Sequence, residues 1–480
     1  MTNANHLPNR WRGAAGRITS FGGGASGRAI YNRALLWVTT AVIIVAAAVV
    51  YYRFAGISSR PGPAAATGRP PAGAPPMLRL SGSNTIGAQL GPDLAEAWLA
   101  SRGATNLHRE PMGTDETRVY ALLDANPVAI EIKAHGSATA FTDLAKGACD
   151  LGMASRQIKS NEVDDLKSKD LGDLTGNANE RVIGLDGVTV IVNETNPTDS
   201  MTKDEVAAIF SGASEDRKWN LYARDDKSGT YDTFKDRVLG SRTLGGALRF
   251  EDSRALVTAV SRDPDGIGFV GLPYAVGVKV LKISDRGAMS LVPNTMTVRT
   301  EAYPLTRRLY LYVPDRAKPE ARAFADFAIS PAGQEVVEKA GFVGQKVAVM
   351  PEAAAPAGAP SAYARLIPRA DRLSVDLRFR TGSSVLDPKG LDDVKRIASV
   401  MSKQFSDRGI MLIGFADNTG APEFNLTLSK RRAQVVGDQM RQEGINPVLI
   451  TGFGQQLPVA DNSTREGQEK NRRVEVWLRK

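Results

Sequence analysis

Cysteine and histidine are nearly missing from this chain, with one and three among 480 residues. Cys149 alone can form no intramolecular disulfide and no cysteine-built metal centre. Its place in the apolar run GACDLGM makes it a small buried hydrophobe. His6, His108 and His135 show no ligand spacing and accompany no nucleophile–base–acid set. His135 precedes a turn and reads as a loop residue. No GxxxxGK[ST] phosphate loop occurs. Nothing here speaks for an enzyme, and neither cofactor nor metal is expected.

Acid is missing where base is concentrated. Residues 1–33 hold Arg10, Arg12, Arg17, Arg28 and Arg33 with no Asp or Glu, so five of the net +9 charges lie there. The remaining 447 residues carry almost balanced charge. A nucleic-acid partner would need a clustered basic face on a folded domain, so none is expected.

Long apolar runs are also scarce. The one exception is ALLWVTTAVIIVAAAVVYY at 34–52, 19 residues without a charge. That length crosses a hydrocarbon core of roughly 30 Å at about 1.5 Å per residue. Tyr51, Tyr52 and Arg53 form an interfacial collar, and the five arginines put residues 1–33 in the cytoplasm. A cleaved signal would have a shorter apolar core, about 7–15 residues. The expectation is one N-terminal transmembrane helix, a signal anchor at 34–53, with all later residues exported.

Pro, Ala and Gly dominate residues 54–77, which cannot bury a core and read as a semi-rigid tether. In a polyproline-II form these 24 residues would span roughly 75 Å. A second linker, PEAAAPAGAPSA, occupies 351–362. Two domains are expected between and after them, at 78–350 and 363–480.

In the first of these, short apolar runs alternate with helical stretches. LRLSG, IEIK, CDLGMA, GVTVIVN and LYAR read as strands. LGPDLAEAWLAS, ATAFTDLAKG, TKDEVAAIFSG and TYDTFKDRVLG read as helices. The alternation predicts an α/β domain with a mainly parallel sheet. Three of its turns share one chemistry: Ser81–Thr85, Gly136–Thr139 and Lys227–Thr230 are small and hydroxyl-rich, and each lies where a helix starts or soon follows. Helix N-termini offer unpaired N–H groups and partial positive charge, so converging turns of this kind suit a tetrahedral oxyanion. Arg156 and Arg224 adjoin two of these segments and could add charge-assisted contacts. Any single turn of this kind is more often an ordinary N-cap.

SGSNTIGAQL, HGSATAFTDLAKGACDLGMASRQI and ARDDKSGTYDTF resemble the binding segments of periplasmic phosphate-binding proteins of ABC importers. The spacing Arg224-x-x-x-Ser228-Gly229-Thr230 resembles that family's arginine-and-hydroxyl loop. The likeness covers roughly 78–350. It implies an α/β two-lobed periplasmic-binding-protein fold that closes over phosphate or a similar oxyanion, with an ABC permease as a further partner. By the same resemblance Asn84, Thr85, Ser137, Arg224, Ser228, Gly229 and Thr230 are expected anion contacts, and Arg156 joins them on its charge and position alone. Arg156 stands where well-known members place an Asp that accepts the phosphate proton. Arginine cannot accept, which weakens discrimination against sulfate.

Near the other end, GFADNTGAPEFNLTLSKRRAQVV and EGQEKNRRVEVWL resemble the OmpA-like peptidoglycan-binding domain. Asp417, Gly420, Asn425, Leu428, Ser429, Arg432 and Ala433 follow that family's spacing, as does Asn471–Glu475. The likeness implies a C-terminal α+β OmpA-like sandwich with helices on one face of the sheet. It implies that Asp417 takes the ammonium and Arg432 the carboxylate of the diaminopimelate stem, with backbone donors from Thr381 and Gly382. Asn425 and Arg473 are read as structural, and Phe415-Ala416 as a change at the pocket rim. The expected whole is a non-enzymatic solute-binding protein, anchored in the bacterial inner membrane with its C-terminal domains in the periplasm and moored to peptidoglycan. The other reading is an envelope-linking structural protein whose middle domain has lost its ligand or binds another protein.

Overall fold

A computed structural model describes residues 75–480 except 215–217, 227, 351–354, 357 and 381–382. The expected membrane anchor, almost all of the first tether, Lys227, Thr381 and Gly382 lie outside the described residues. Among the described residues no helix is long and apolar enough to cross a membrane.

The chain opens with β1 (Leu78–Gly82), α1 (Gly91–Ser101), β2 (Thr105–Gly113), β3 (Glu116–Leu123), β4 (Asn126–Lys133), α2 (Ser137–Ala145) and β5 (Leu151–Ala154). A 13-residue strand, β6 (Glu180–Val192), leads to a second set: α3 (Lys203–Ser211), β7 (Asn220–Arg224), α4 (Gly229–Phe234), β8 (Leu248–Phe250), α5 (Ser253–Ser261) and β9 (Gly266–Gly271). Strand β10 (Thr306–Tyr312) returns the chain to helices α6 (Pro319–Ile329) and α7 (Pro331–Lys339). Along one continuous sheet the order is β2-β3-β4-β1-β5-β10-β6-β9-β7-β8.

The sheet is mixed rather than mainly parallel. β1 runs parallel to β4 and β5, and β7 parallel to β8 and β9. β2, β3 and β4 form an antiparallel meander, and β10 is antiparallel to both β5 and β6. The meander escaped the sequence reading because β2, TNLHREPMG, is mostly polar, lacks an alternating pattern and has no buried residue.

Two hydrophobic cores flank the long strands. One gathers Leu78, Leu80, Trp98, Ile130, Ile132, Phe324 and Val337. The other gathers Val188, Val190, Phe210, Phe234, Ile267 and Phe269. Phe234 stacks on Phe269 with ring centroids 3.8 Å apart. β6 and β10 therefore join two lobes as crossing segments. Helix α3 shows both expected end signals: Thr202 caps it by accepting from the Glu205 N–H at 3.2 Å, and Gly212 follows in the left-handed region.

The C-terminal sheet comprises β11 (Val349–Met350), β12 (Ala370–Arg378), β13 (Ile410–Gly414), β14 (Leu449–Gly452) and β15 (Arg473–Arg479), in the order β11-β12-β15-β13-β14. Helices α8 (Pro388–Gln404) and α9 (Pro422–Gln442) cover one face through Val394, Ile397, Ala433, Val436 and Met440. The opposite face is not bare. Tyr363 and Ile367 pack there on Met411, Ile413, Phe415 and Trp477. Phe415 is fully buried and belongs to this second core, and Ala416 is buried beside it, so neither forms an exposed pocket rim.

Candidate functional site

The cleft is built where the parallel strands end. At the end of β1, Gly82 adopts φ +140°, and a Cβ there would lie 1.9 Å from the Met153 carbonyl oxygen. Only glycine permits that approach. The Ser83 N–H then donates to the Met153 carbonyl at 2.8 Å, and the Gly136 N–H donates to the Gly82 carbonyl at 2.8 Å. These bonds place the 81–85 turn, the start of α2 and the end of β5 side by side. Ser137 Oγ lies 3.1 Å from Ser155 Oγ and accepts from the Ser155 N–H at 3.0 Å. Asn84 Oδ1 lies 3.8 Å from where a Cβ on Gly136 would stand.

From the second lobe comes the start of α4. Ser228 caps it, its Oγ accepting from the Thr230 N–H at 3.2 Å. Gly229 presses against the first lobe: a Cβ there would fall 1.9 Å from Thr85 Oγ1. Six of the eight expected contacts, Asn84, Thr85, Ser137, Ser228, Gly229 and Thr230, thus lie on segments that meet.

The two expected arginines are committed elsewhere. Arg224 donates to the Phe250 carbonyl at 3.2 Å, to the Glu251 carbonyl at 2.6 Å and to Ser253 Oγ. Arg156 forks onto Glu162 at 2.8 and 2.6 Å and lies over the Phe141 ring. The guanidinium that reaches the hydroxyls is Arg307, on crossing strand β10. It donates to Thr85 Oγ1 at 2.6 Å, to Ser155 Oγ at 3.1 Å and to the Gly229 carbonyl. Its cross-strand neighbour Asp186 accepts from Nε at 3.2 Å and Nη2 at 3.1 Å. One buried cation thereby touches both lobes and a crossing strand.

The C-terminal pocket is likewise buried. Asp417 and Arg432 are 4% and 5% exposed, but they do not pair with each other. Asp417 accepts from Arg472 Nη1 at 2.8 Å and from the Thr419 N–H at 2.9 Å. Burial pushes the Asp417 carboxyl up, yet its bonds from Thr419 and Arg472 prevail and hold it below the usual range. Arg432 lies over the Phe379 ring at 5.6 Å, and its Nε and Nη1 are buried without a hydrogen-bond partner. Burial, then repulsion from Arg472, pushes its pKa down to about 10. A buried guanidinium with unmet donors suits an acceptor group. Asn425 and Arg473 bond inward, Asn425 to Gln455 at 2.8 Å and Arg473 to the Leu457 carbonyl at 3.0 Å.

The protein SphX of Synechococcus elongatus is 31% identical over 236 residues, which is 45% of this chain and 68% of that protein. A model described as the PBP superfamily domain matches residues 121–332. This chain belongs to the PBP superfamily. The OmpA family model matches residues 378–472. The phosphate-binding protein PstS of Staphylococcus aureus is 27% identical over 289 residues, 55% of this chain and 86% of that protein. A solved ABC-type phosphate transport receptor from Vibrio cholerae covers 55% of this chain and 99% of its own, at 20% identity and a TM-score of 0.43.

Within the PBP domain, Arg307 was missed because it sits inside a strand and not on a turn. A signal was present in the run TRRLYLY. Two adjacent arginines in an otherwise apolar strand must each find a buried partner. In the OmpA domain, Arg472 belonged to the quoted NRR motif, but its role as the partner of Asp417 was not anticipated.

Proposed function

We propose that the PBP domain captures phosphate or a like oxyanion between its lobes, and that the OmpA domain moors it to peptidoglycan. The observation that carries this reading is Arg307, whose guanidinium meets Thr85 and Ser155 from one lobe and the Gly229 carbonyl from the other. An anion entering the cleft finds hydroxyls at Thr85, Ser137, Ser228 and Thr230, a backbone donor at Gly229, the amide of Asn84, and one fixed cation. The likeness to the phosphate-binding protein PstS supports the choice of phosphate. Arg224 and Arg156 act through the segments they hold, the 250–253 loop and Glu162. Without a carboxylate at position 156, sulfate competes better than it would against an acceptor side chain.

In the OmpA domain, Arg432 is assigned to the stem carboxylate and Asp417 to its ammonium. Residues 34–53 anchor the chain in the inner membrane with both domains in the periplasm. An ABC-type permease is the partner that would receive a released anion.

Calorimetric titration of the detergent-solubilised chain with phosphate and sulfate tests the cleft. Micromolar phosphate binding, lost in Thr85→Ala and Arg307→Gln, supports capture. Silence toward both anions would leave a wall-linking structural protein. Sedimentation with purified sacculi, lost in Arg432→Ala, tests the mooring.

A further inference from the structure

A second cationic space lies beside the cleft, between the PBP and OmpA domains. It is a cavity of about 520 Å³, within the range of roughly 300–1,000 Å³ usual for small-ligand sites. Its lining shares Ser155 and Arg307 with the cleft. Arg308 of β10 and Arg237 add charge from the PBP domain, and Arg378, Arg380 and Lys470 add it from the OmpA domain. With Arg156, six arginines and one lysine face four lining carboxylates, while Glu162 holds Arg156 and Asp186 holds Arg307 from outside the lining.

The carboxylates do not neutralise this set evenly. Arg308 takes Glu301 at 2.7 Å and Asp387 at 2.7 Å, and Arg237 takes Glu466. Arg378 reaches only carbonyls, those of Thr300 at 2.8 Å and Lys470, with Glu301 no nearer than 3.9 Å. Lys470 Nζ donates to the Pro304 carbonyl at 3.1 Å, with Glu466 no nearer than 3.9 Å. Two lining residues carry buried polar atoms without partners, Nε of Arg378 and Oγ1 of Thr306. Burial, then repulsion from Arg237, Arg378 and Lys203, pushes the Lys470 ammonium well below its usual range. Burial and Arg307 act on Arg237 in the same direction. Crowded, largely buried cations with an unmet donor at Arg378 are what an anion would relieve.

We propose that this interdomain cavity is a second oxyanion site, taking a phosphoryl-class group between the crossing strands and the wall-binding domain. It goes beyond the cleft reading, because three of its seven cations come from the OmpA domain. The group is either a free phosphate or the second phosphate of a condensed phosphate bridging through Ser155 and Arg307.

The test is calorimetry and phosphorus NMR on the full chain in detergent, with inorganic phosphate and then pyrophosphate. The wild type should take up two phosphates per chain. Lys470→Gln and Arg237→Gln should weaken one of them at least about tenfold and leave the other within about twofold. Should either variant fail to fold, the exposed Arg380→Gln supplies the same readout. One pyrophosphate displacing both phosphates identifies a condensed ligand, and two pyrophosphates identify free anions. A wild type that binds a single phosphate, lost in Thr85→Ala and unmoved by Lys470→Gln, overturns the second site while the cleft reading stands. No phosphate uptake at all overturns both.

Discussion

Arg308 Nη1 and Asp387 Oδ2 lie 2.7 Å apart and join the two domains through side chains that are 11% and 13% exposed. Each has a second duty. Arg308 follows Arg307 on β10 and also grips Glu301. Asp387 caps α8, its Oδ1 accepting from the Gly390 N–H at 2.7 Å. The contact therefore ties the start of a wall-domain helix to a crossing strand of the solute-binding domain.

Asp387→Ala removes both the cap and the ion pair. Loss of the cap alone costs about 1 kcal/mol. Breaking a buried pair costs about 3–5 kcal/mol, moderated here because Glu301 still holds Arg308. Differential scanning calorimetry should show a loss of about 3 kcal/mol, with Asp387→Asn falling between wild type and Ala. Equal stability in all three would sink the docking role.

Glu180 opens crossing strand β6 and is 1% exposed. Its Oε2 accepts from Tyr312 at 3.1 Å and Gln157 at 3.3 Å, while Oε1 is buried without a partner. Burial raises its carboxyl pKa to about 7 from an ordinary 4.5, against the pull of Arg308. The folded state thus holds this proton more tightly than the unfolded chain. Stability falls as pH rises from about 4.5 to about 7 and is flat above, a loss of about 3 kcal/mol. Glu180→Gln keeps the shape and should abolish that slope in urea titrations at pH 5 and pH 8.

Gly229→Ala tests lobe closure. The added methyl would stand 1.9 Å from Thr85 Oγ1, a contact available only by parting the lobes. Phosphate affinity should fall at least about tenfold. Small-angle scattering with saturating phosphate should then report a more open domain than wild type, and unchanged affinity would show that closure is not required.

Arg432 links wall binding to alkaline pH. Its guanidinium is needed charged to meet a carboxylate, and its pKa lies at about 10. Sacculus binding should hold from neutral pH to about pH 9 and then weaken, approaching tenfold per pH unit above about 10. Arg432→Lys should keep the charge but lose the two-point fit. Binding that is flat to pH 11 would assign the carboxylate to another cation.

Much of this architecture was legible in local chemistry. The strand endings at Gly82 and Gly136, the cap at Thr202 and the long apolar faces of α8 and α9 are set by residues near in sequence. The hydroxyl turns are legible for the same reason, since each is a helix start. What escaped is long-range. Arg307 meets Thr85 across 222 residues, and no periodicity links them. Arg224 looked free because two of its three partners, the carbonyls of Phe250 and Glu251, are backbone groups that any sequence supplies. Asp417 and Arg432 were placed on one ligand by the family likeness, but the direct pairing fell to Arg472, which stands just ahead of β15.

Strand β11 lies upstream of the proline-rich segment yet pairs Val349 with Leu373 and Met350 with Arg372 in the C-terminal sheet. It is the outermost rail of that sheet. A fragment trimmed to begin at the prolines would leave the flank of β12 open, with a ready template for stacking against a neighbouring molecule. Recombinant material of the wall-binding half should accordingly stay monodisperse when it begins ahead of Val347 and self-associate when it begins after Met350.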